Sequence, residues 1–346
     1  MAFDIKISPS GHHCQSQDGE TVLEAALNAG FLLPYNCRNG TCGACKGKVL
    51  SGKIDPGRAM DSVLLPSERE AGEALFCCAT PLSDLTIECR EFEAPGEIKV
   101  KQLLSKVKRM YVAAPDVMVV QLELAASKRL QFLAGQYVDI LLDDGQRRAF
   151  SLATAPHDDE ILELHIRRMP GGQFTGHVFE ELRVRDSLKI EGPFGNFYLR
   201  ETSEAKPDQP IIMIAGGTGF APVKSMVEHA IHRKLQRSIT IYWGARNADG
   251  LYMHDLALDW AAEHENIRYI PVVSEPGAGD DWRGRTGMVH QAVLDDFADL
   301  SGSDVYLCGS EQMTIAARRD FVKRGLPETH LYCDVFCSAR QLVLTE

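Results

Sequence analysis

Four cysteines constrain the fold of this chain more than any other feature. Cys37, Cys42 and Cys45 follow a Cys-x4-Cys-x2-Cys spacing, and Cys77 lies further along the chain. Three closely spaced thiolates with a distant fourth are a known ligand arrangement for a [2Fe-2S] cluster. Glycines within the loop allow the backbone to turn sharply and to direct amide N–H groups at the sulfurs. The sequence therefore predicts that these four cysteines bind an iron–sulfur cluster.

Two alternatives to this site remain open. Cys78 could supply the fourth ligand, but Pro81 follows Cys77 by four residues, as in plant-type ferredoxins, which this segment resembles. A zinc-stabilised scaffold is the second alternative, although structural zinc sites favour two Cys-x2-Cys pairs and this segment has one. Cluster cysteines favour a reducing compartment, and the first residues lack the pattern of a signal peptide. We therefore expect a cytoplasmic protein.

Residues 1–92 carry the signals of a small α+β unit. Thr21 and Glu24 form a predicted capping box for one helix, and Ser67 and Glu70 form a second. Alternating apolar residues predict strands at Phe3, Ile5 and Ile7 and at Leu85 and Ile87. The unit resembles a plant-type ferredoxin domain, which implies a β-grasp fold. Residues 91–97, which include a Pro-Gly pair, are predicted to be a linker.

Residues 98–202 contain short alternating runs separated by Gly-rich turns, which predicts an antiparallel β-barrel. Within it, Arg148, Phe150 and Ser151 resemble the Arg-x-Tyr-Ser flavin motif of ferredoxin reductase-like proteins, with Phe in place of Tyr. Arg offers a forked cation for pyrophosphate, the aromatic ring offers a face for the flavin, and Ser can hydrogen-bond near flavin N5. The alternative is a barrel strand with an incidental Arg.

A second candidate flavin contact is a Gly-rich turn that opens a predicted helix. The N-terminus of a helix presents free N–H groups to a phosphate, so Gly172, Gln173 and Thr175 are candidate FAD-binding residues. The same pattern also fits an ordinary turn. His165 and Arg167 on the preceding strand could border the flavin, but the alternation favours an exposed strand face for both.

Residues 207–346 predict an α/β doubly wound domain. The apolar run Ile211–Ala215 is typical of a buried parallel strand, and it leads directly into a Gly-rich turn and a helix. Strand, turn and helix in this order form a nucleotide-binding unit. Its candidate binding residues are Gly217, Thr218, Gly219 and Pro222. The proline stands where the dinucleotide fingerprint has a third Gly, a departure that matches the nicotinamide domain of the ferredoxin reductase-like family.

Two further candidate site residues lie nearer the C-terminus. Cys308 belongs to a Cys-Gly turn after a predicted buried strand. In the family that this chain resembles, that turn lies beside the nicotinamide, which implies a role for Cys308 in ordering hydride transfer; a buried structural thiol is the alternative. Phe336 ends a segment that resembles the family's last strand, whose tip approaches the flavin. No role is assigned to Cys14, Cys78, Cys89, Cys333 or Cys337.

The order of the three units is similar to that of the reductase components of bacterial multicomponent oxygenases, of the phenol hydroxylase, benzoate dioxygenase and methane monooxygenase reductase type. The Phe-Cys-Cys-Ala segment at residues 76–79 is particularly similar to CDP-6-deoxy-Δ3,4-glucoseen reductases, which serve a sugar dehydrase. The resemblance implies electron transfer from NADH to FAD, to the [2Fe-2S] cluster, and then to a partner oxygenase, hydroxylase or dehydrase. Domain order favours FAD over FMN. NADH is favoured over NADPH, although Arg246 could accept a 2′-phosphate.

Charge and hydropathy argue against other classes of protein. The net charge of −11 argues against a nucleic-acid partner, and no apolar run approaches the roughly 20 residues that span a bilayer. A non-catalytic redox sensor or electron carrier with vestigial nucleotide folds is the rival from another class. The intact flavin and nicotinamide motifs favour the reductase.

Overall fold

The computed structural model describes residues 2–40, 42–61, 63–91, 98–125, 127–203, 206, 208–277 and 282–336. The chain divides into two compact units, Met1–Ile98 and Lys99–Glu346. The predicted linker at residues 91–97 lies, apart from Glu91, outside the described residues. Within the described parts of the chain, every helix is too short or too polar to cross a membrane.

The first unit is a mixed sheet with two short helices. In chain order its elements are β1 (Phe3–Ser8), β2 (His13–Ser16), α1 (Val22–Asn28), β3 (Lys46–Ser51), β4 (Ile54–Asp55), α2 (Pro66–Glu70), β5 (Glu73–Leu75), β6 (Thr80–Pro81) and β7 (Leu85–Glu88). Five strands form a sheet in the order β2-β1-β7-β3-β5, and β4 pairs with β6. The parallel pairing of β1 with β7 buries Ile5, Ile7 and Ile87 on one face. The predicted α+β unit is confirmed.

The two predicted capping boxes had different outcomes. At α1 the box is present, because Glu24 N donates to Thr21 Oγ1 at 3.2 Å and Thr21 N donates to Glu24 Oε2 at 2.9 Å. The box predicted at Ser67 is wrong. Here α2 begins at Pro66, and the N–H of Leu65 donates to Glu68 Oε2 at 2.8 Å. Proline lacks an N–H and has a φ suited to the first helical position, so the helix starts before Ser67.

The second unit opens with an antiparallel sheet that carries one helix. Its elements are β8 (Lys101–Ala114), β9 (Val117–Leu124), β10 (Tyr137–Leu141), β11 (Arg147–Ser151), β12 (Ile161–Arg167), α3 (Gln173–Glu180) and β13 (Ser187–Phe194). The strand order is β11-β10-β13-β8-β9-β12. A bridge between Leu152 and Leu164 joins the two edges of this sheet. The sheet therefore coils around an apolar interior that includes Val120, Ile140 and Phe174.

The remainder of the second unit is a parallel sheet with helices on both faces. Its elements are β14 (Ile211–Gly216), a 3-10 turn (Gly217–Gly219), α4 (Phe220–His232), β15 (Ile239–Ala245), a 3-10 turn (Ala248–Gly250), α5 (His254–Glu263), β16 (Ile267–Val273), β17 (Arg285–Thr286), α6 (Val289–Asp296), β18 (Asp304–Ser310), α7 (Glu311–Lys323), a 3-10 turn (Glu328–His330) and β19 (Leu331–Phe336). The strand order β17-β16-β15-β14-β18-β19 confirms the predicted doubly wound fold. The direction in which successive strands are added to the sheet reverses between β14 and β18. Ligands of doubly wound sheets bind at such a point, in the crevice at the carboxyl ends of the strands.

Candidate functional site

The cysteine loop of the first unit brings the predicted ligands together. The loop turns through left-handed backbone at Arg38, Gly40 and Gly43, with φ of 57°, 81° and 73°. Two backbone N–H groups approach the sulfurs: Ala44 N lies 3.5 Å from Cys42 Sγ, and Cys77 N lies 3.5 Å from Cys45 Sγ. These donors are of the kind that orient and tune thiolate ligands.

The thiols of this loop are close enough to influence one another strongly. Contact with the Cys37 thiol, burial, and the charges of Cys37 and Cys45 raise the pKa of Cys42 well above its ordinary value. Contacts with the thiols of Cys37, Cys45 and Cys78, followed by burial, raise the pKa of Cys77. Several negative sulfurs cannot share such a pocket without a compensating cation, because their charges repel. A cationic iron centre fits this donor set, since thiolates are its usual ligands.

The same geometry bears on the zinc alternative. Among the residues that the structure describes, no three or more His, Cys, Asp or Glu side chains form a group able to hold one metal ion. A [2Fe-2S] cluster divides its four ligands between two iron atoms, so it does not require three thiolates around a single point. The Cys77 thiol contacts the thiols of Cys37 and Cys45 as well as that of Cys78, whereas the Cys78 thiol contacts that of Cys77 and interacts with Cys37 through charge.

In the second unit, a hydrogen bond joins the predicted flavin motif to the last strand. Ser151 Oγ, at the end of β11, donates to Asp334 Oδ2 in β19 at 3.5 Å, and both residues are buried. Parallel register places Asp334 directly beside Cys308 of β18. Burial, together with the negative charges of Asp334 and Cys333, raises the pKa of Cys308 well above its ordinary value. The Cys308 thiol is therefore held neutral beside a buried carboxyl group.

The other predicted flavin residues lie on β11 and at the start of α3. The ring of Phe150 packs on Phe174 of α3, with ring centroids 5.6 Å apart, which links the strand of the flavin motif to the helix after the Gly-rich turn. Gly172 caps α3, and Thr175 Oγ1 donates to its carbonyl at 3.2 Å. Gln173 is the first residue of the helix. The Arg148 guanidinium donates to the carbonyl of Arg147 at 2.9 Å and to the side-chain oxygen of Gln146, the residue before β11.

The predicted dinucleotide turn packs against the strands that carry the buried thiol. Gly217 adopts φ of 54°, and a Cβ built there would lie 2.6 Å from Nη1 of Arg167. A Cβ on Gly219 would lie 2.4 Å from the carbonyl oxygen of Cys308. Thr218 and Pro222 are buried, the latter in the first turn of α4 where proline is tolerated. The Gly-rich turn thus contacts the Cys308 turn by direct backbone approach.

Arg167 offers a positive group at this turn. Its Nε pairs with Asp116 Oδ2 at 3.1 Å. The Nη1 and Nη2 atoms lie beside Gly217, where an added Cβ would meet them at 2.6 and 2.8 Å. This end of the guanidinium is therefore positioned to offer positive charge to a phosphate at the turn. Phe336 ends β19, is half-buried and packs on the core beside this sheet.

Sequence reasoning placed His165 on an exposed strand face, and this prediction is wrong. The residue is 5% exposed, because Tyr252 covers it: Tyr252 OH lies 2.9 Å from His165 Nδ1. His165 Nε2 lies 3.0 Å from Glu163 Oε1. A neutral imidazole with its proton on Nε2 satisfies both contacts. Burial lowers the pKa of His165 despite the opposing effect of Glu163.

A buried ion pair adjoins His165 and was not anticipated. Lys224 Nζ of α4 lies 3.5 Å from Glu163 Oε1 and 3.0 Å from Glu228 Oε1. Burial alone would raise the pKa of Glu163, but His165 and Lys224 lower it to about 2. The carboxylates of Glu163 and Glu228 raise the pKa of Lys224 against the effect of burial. This network joins β12 to α4, the helix that follows the dinucleotide turn.

Sequence reasoning did not single out Asp334, which the structure places beside two of the predicted site residues. It was visible only as a single acidic residue within an otherwise apolar last strand. Its position beside Cys308 and Ser151 depends on the parallel register of β18 with β19 and on the approach of β11. A single acidic residue inside an otherwise apolar strand is the signal that could have identified it.

Three protein-family models match this chain: the 2Fe-2S iron-sulfur cluster binding domain at residues 5–82, the oxidoreductase FAD-binding domain at 105–198, and the oxidoreductase NAD-binding domain at 213–319. The chain is 40% identical to the CDP-6-deoxy-L-threo-D-glycero-4-hexulose-3-dehydrase reductase of Yersinia pseudotuberculosis, over 98% of this chain and 100% of that protein. It is 39% identical to terephthalate 1,2-dioxygenase reductase component 1 of Comamonas sp., over 98% of each chain. The crystal structure of Amycolatopsis cytochrome P450 reductase GcoB matches with a TM-score of 0.80 and 34% identity, over 97% of this chain and 99% of that chain.

Proposed function

The chain belongs to the family of iron–sulfur flavoprotein reductases, which join a [2Fe-2S] domain to FAD-binding and NAD-binding oxidoreductase domains, and from this premise we propose that it carries electrons from NADH through FAD and the cluster to a partner protein. Three functional domains, at residues 1–92, 98–202 and 207–346, would carry the three cofactors. FAD, when bound, supplies the conversion between paired and single electrons.

The observation that carries this proposal is the buried contact of Ser151 with Asp334 beside Cys308. It joins the FAD-binding sheet to the NAD-binding sheet at the carboxyl ends of β14 and β18, where a dinucleotide binds in this fold. The Cys308 thiol and the Ser151 hydroxyl lie buried at this position. Their role is to orient the nicotinamide and flavin rings against each other.

The remaining candidate residues would hold the cofactors. Phe150 offers a ring face to the flavin, and Arg148 with the N-terminus of α3 offers positive groups for its pyrophosphate. The Nη atoms of Arg167 and the N–H groups of the Gly217–Gly219 turn offer the same for the nicotinamide dinucleotide. Cys37, Cys42, Cys45 and Cys77 would hold the cluster.

NADH is the proposed donor rather than NADPH. The adenosine ribose would meet the carboxyl ends of β15 and β16. A hydrogen bond from Glu275 N to the carbonyl of Arg246, at 2.7 Å, joins the segments that follow these two strands. A 2′-phosphate requires basic groups in this region, and Arg246, directly after β15, is the basic residue that the sequence offers there. Glu275 follows the neighbouring strand β16 and brings a negative charge to the same edge of the sheet, which favours a free ribose 2′-hydroxyl.

The proposed acceptor is an oxygenase or hydroxylase component. A second candidate is the dehydrase component of a deoxysugar system, which the 40% identity to a hexulose-3-dehydrase reductase favours. Purified acceptors distinguish the two. With NADH and catalytic amounts of this protein, a dioxygenase component or a CDP-hexulose dehydrase would be reduced, and the acceptor that is reduced faster identifies the system.

We also propose a cytoplasmic location, because cluster thiols persist in a reducing compartment. Recovery of the native protein from the periplasm would contradict this location.

The proposal is tested by anaerobic titration of the purified protein with NADH, followed by visible spectroscopy. Flavin and cluster absorbance should both bleach in the parent protein. In Cys42→Ser the cluster absorbance should be absent while NADH still reduces ferricyanide through the flavin, and Cys14→Ser serves as the matched control at a buried thiol distant from the loop. If Cys42→Ser lost the NADH-dependent reduction of ferricyanide together with the cluster absorbance, the proposed order of electron transfer would be contradicted. A bound flavin that NADH cannot reduce would favour the redox sensor, and zinc without iron would favour the scaffold.

A further inference from the structure

A fifth thiol, that of Cys78, lies beside the four predicted ligands of the [2Fe-2S] cluster. The sulfur of Cys78 lies 3.6 Å from that of Cys77, within range of a sulfur–sulfur hydrogen bond. Two glycines hold Cys78 in place. A Cβ added to Gly40 would lie 2.8 Å from Cys78 Sγ, and a Cβ added to Gly57 would lie 2.3 Å from the Cys78 carbonyl oxygen. The Cys78 thiol is thus packed between fixed backbone and Cys77.

The surroundings of the two sulfurs determine which of them can donate. Cys77 contacts the thiols of Cys37 and Cys45, and its own N–H points to Cys45 Sγ at 3.5 Å. Cys77 is therefore the member of the pair that faces the other ligands. A ligand thiolate has lost its proton, so in the cluster-bound protein only Cys78 has an S–H group to place between the two sulfurs.

We propose that Cys78 acts through Cys77 and raises the reduction potential of the cluster by donating an S–H···S hydrogen bond to that ligand sulfur. This inference rests on the proposed function and assigns a role to a residue outside the ligand set. Reduction adds one negative charge to the cluster and its sulfurs. A donor to a ligand sulfur stabilises the more negative state, and hydrogen bonds of this kind are among the determinants of cluster potential.

The size of the effect follows from the weakness of the donor. Thiols donate weakly, but the acceptor sulfur of Cys77 is charged in the cluster-bound protein and is buried, which strengthens the bond. We expect removal of the donor to lower the ratio of reduced to oxidised cluster at a fixed potential by about threefold to tenfold. For a one-electron couple, a tenfold change corresponds to a shift of about 59 mV to more negative potential.

The experiment is an anaerobic redox titration of the full-length protein, with the reduced cluster followed by electron paramagnetic resonance and iron content determined on each sample. Cys78→Ala and Cys78→Val remove the donor, the latter with similar volume, whereas Cys78→Ser retains a hydroxyl donor. Cys14→Ala is the matched control, since it removes a buried thiol without contact to the ligands. The first two variants should retain two irons and titrate at more negative potential, while Cys78→Ser and Cys14→Ala should remain near the parent.

Each other result counts against the proposal. A donor-free variant that retains two irons and the parent potential would show that no functional hydrogen bond exists. Loss of iron from both donor-free variants would make Cys78 a ligand, because a hydrogen bond to one sulfur is not required to retain iron. Absence of the cluster from the parent protein would instead contradict the proposed function itself, so the two failures are distinguishable.

Discussion

Replacement of Gly219 by alanine tests the central claim that backbone contact sets the position of the buried thiol. Gly219 has φ of −58° and ψ of −10°, which alanine adopts without strain. The added Cβ, however, would lie 2.4 Å from the carbonyl oxygen of Cys308 and 2.8 Å from its carbonyl carbon. Any effect of Gly219→Ala therefore comes from the close approach of two backbone segments.

The expected magnitude follows from the distance. An ordinary contact for a Cβ begins at 3.4 Å, so relief of the clash requires the dinucleotide turn and the Cys308 turn to separate by 3.4 − 2.4 = 1.0 Å. Displacement of reacting groups by about 1 Å can slow a reaction about 100-fold, and overpacking costs about 1–3 kcal/mol of stability. We expect stopped-flow reduction of the bound flavin by NADH to slow by a factor on the order of 100, with a lower Tm.

The matched control is Gly176→Ala within α3. A Cβ at Gly176 meets no atom within 4 Å, and alanine is favoured over glycine inside a helix by about 1 kcal/mol. This variant should reduce its flavin at the parent rate and unfold at an equal or higher temperature. If Gly219→Ala also matched the parent in rate and in Tm, the turns would not be in contact and the assembly of the site described above would be wrong.

Three further predictions concern single side chains. Arg148→Ala should weaken FAD retention by about 10- to 100-fold because a charge-assisted contact is lost; flavin content after gel filtration measures this, and unchanged content would remove Arg148 from the site. Cys308→Ala should slow reduction of the flavin by NADH about tenfold or more while the NADH Kd changes little, and an unchanged rate would return Cys308 to a structural role. His165 is buried with a lowered pKa, so the unfolded chain binds more protons below the ordinary pKa of 6.5, and the free energy of unfolding should fall as the pH falls through that value. Urea unfolding at several pH values should show a flatter profile for His165→Gln than for the parent, and identical profiles would contradict the burial of a neutral His165.

Local patterns allowed much of the fold and several parts of the site to be predicted. The Cys spacing indicated a loop that the structure does bring together, and the strand, Gly-rich turn and helix after Ile211 appear as β14, the 3-10 turn and α4. These features depend on residues close together in the chain, where turn chemistry and periodicity decide the outcome. The error at Ser67 has a local cause as well, since Pro66 alone determines where that helix begins.

What the sequence did not predict depends on contacts between distant segments. The alternation in β12 correctly assigned one face of that strand to the interior, but alternation says nothing about what covers the opposite face. Tyr252 from beyond β15 covers His165, and Lys224 from α4 pairs with Glu163. The same limit applies to Asp334, whose neighbour Cys308 is fixed by strand register.

The glycines of the dinucleotide turn show how such distant contacts are nevertheless encoded. Gly217 takes φ of 54°, which side chains disfavour, and Gly219 avoids a clash with the Cys308 backbone. The two glycines are thus required for different reasons, and neither reason involves a side chain that could adapt. A site positioned by backbone contact is held closely in place, as orientation of two rings demands. For the same reason it tolerates substitution of surrounding side chains better than addition of a single methyl group at Gly219.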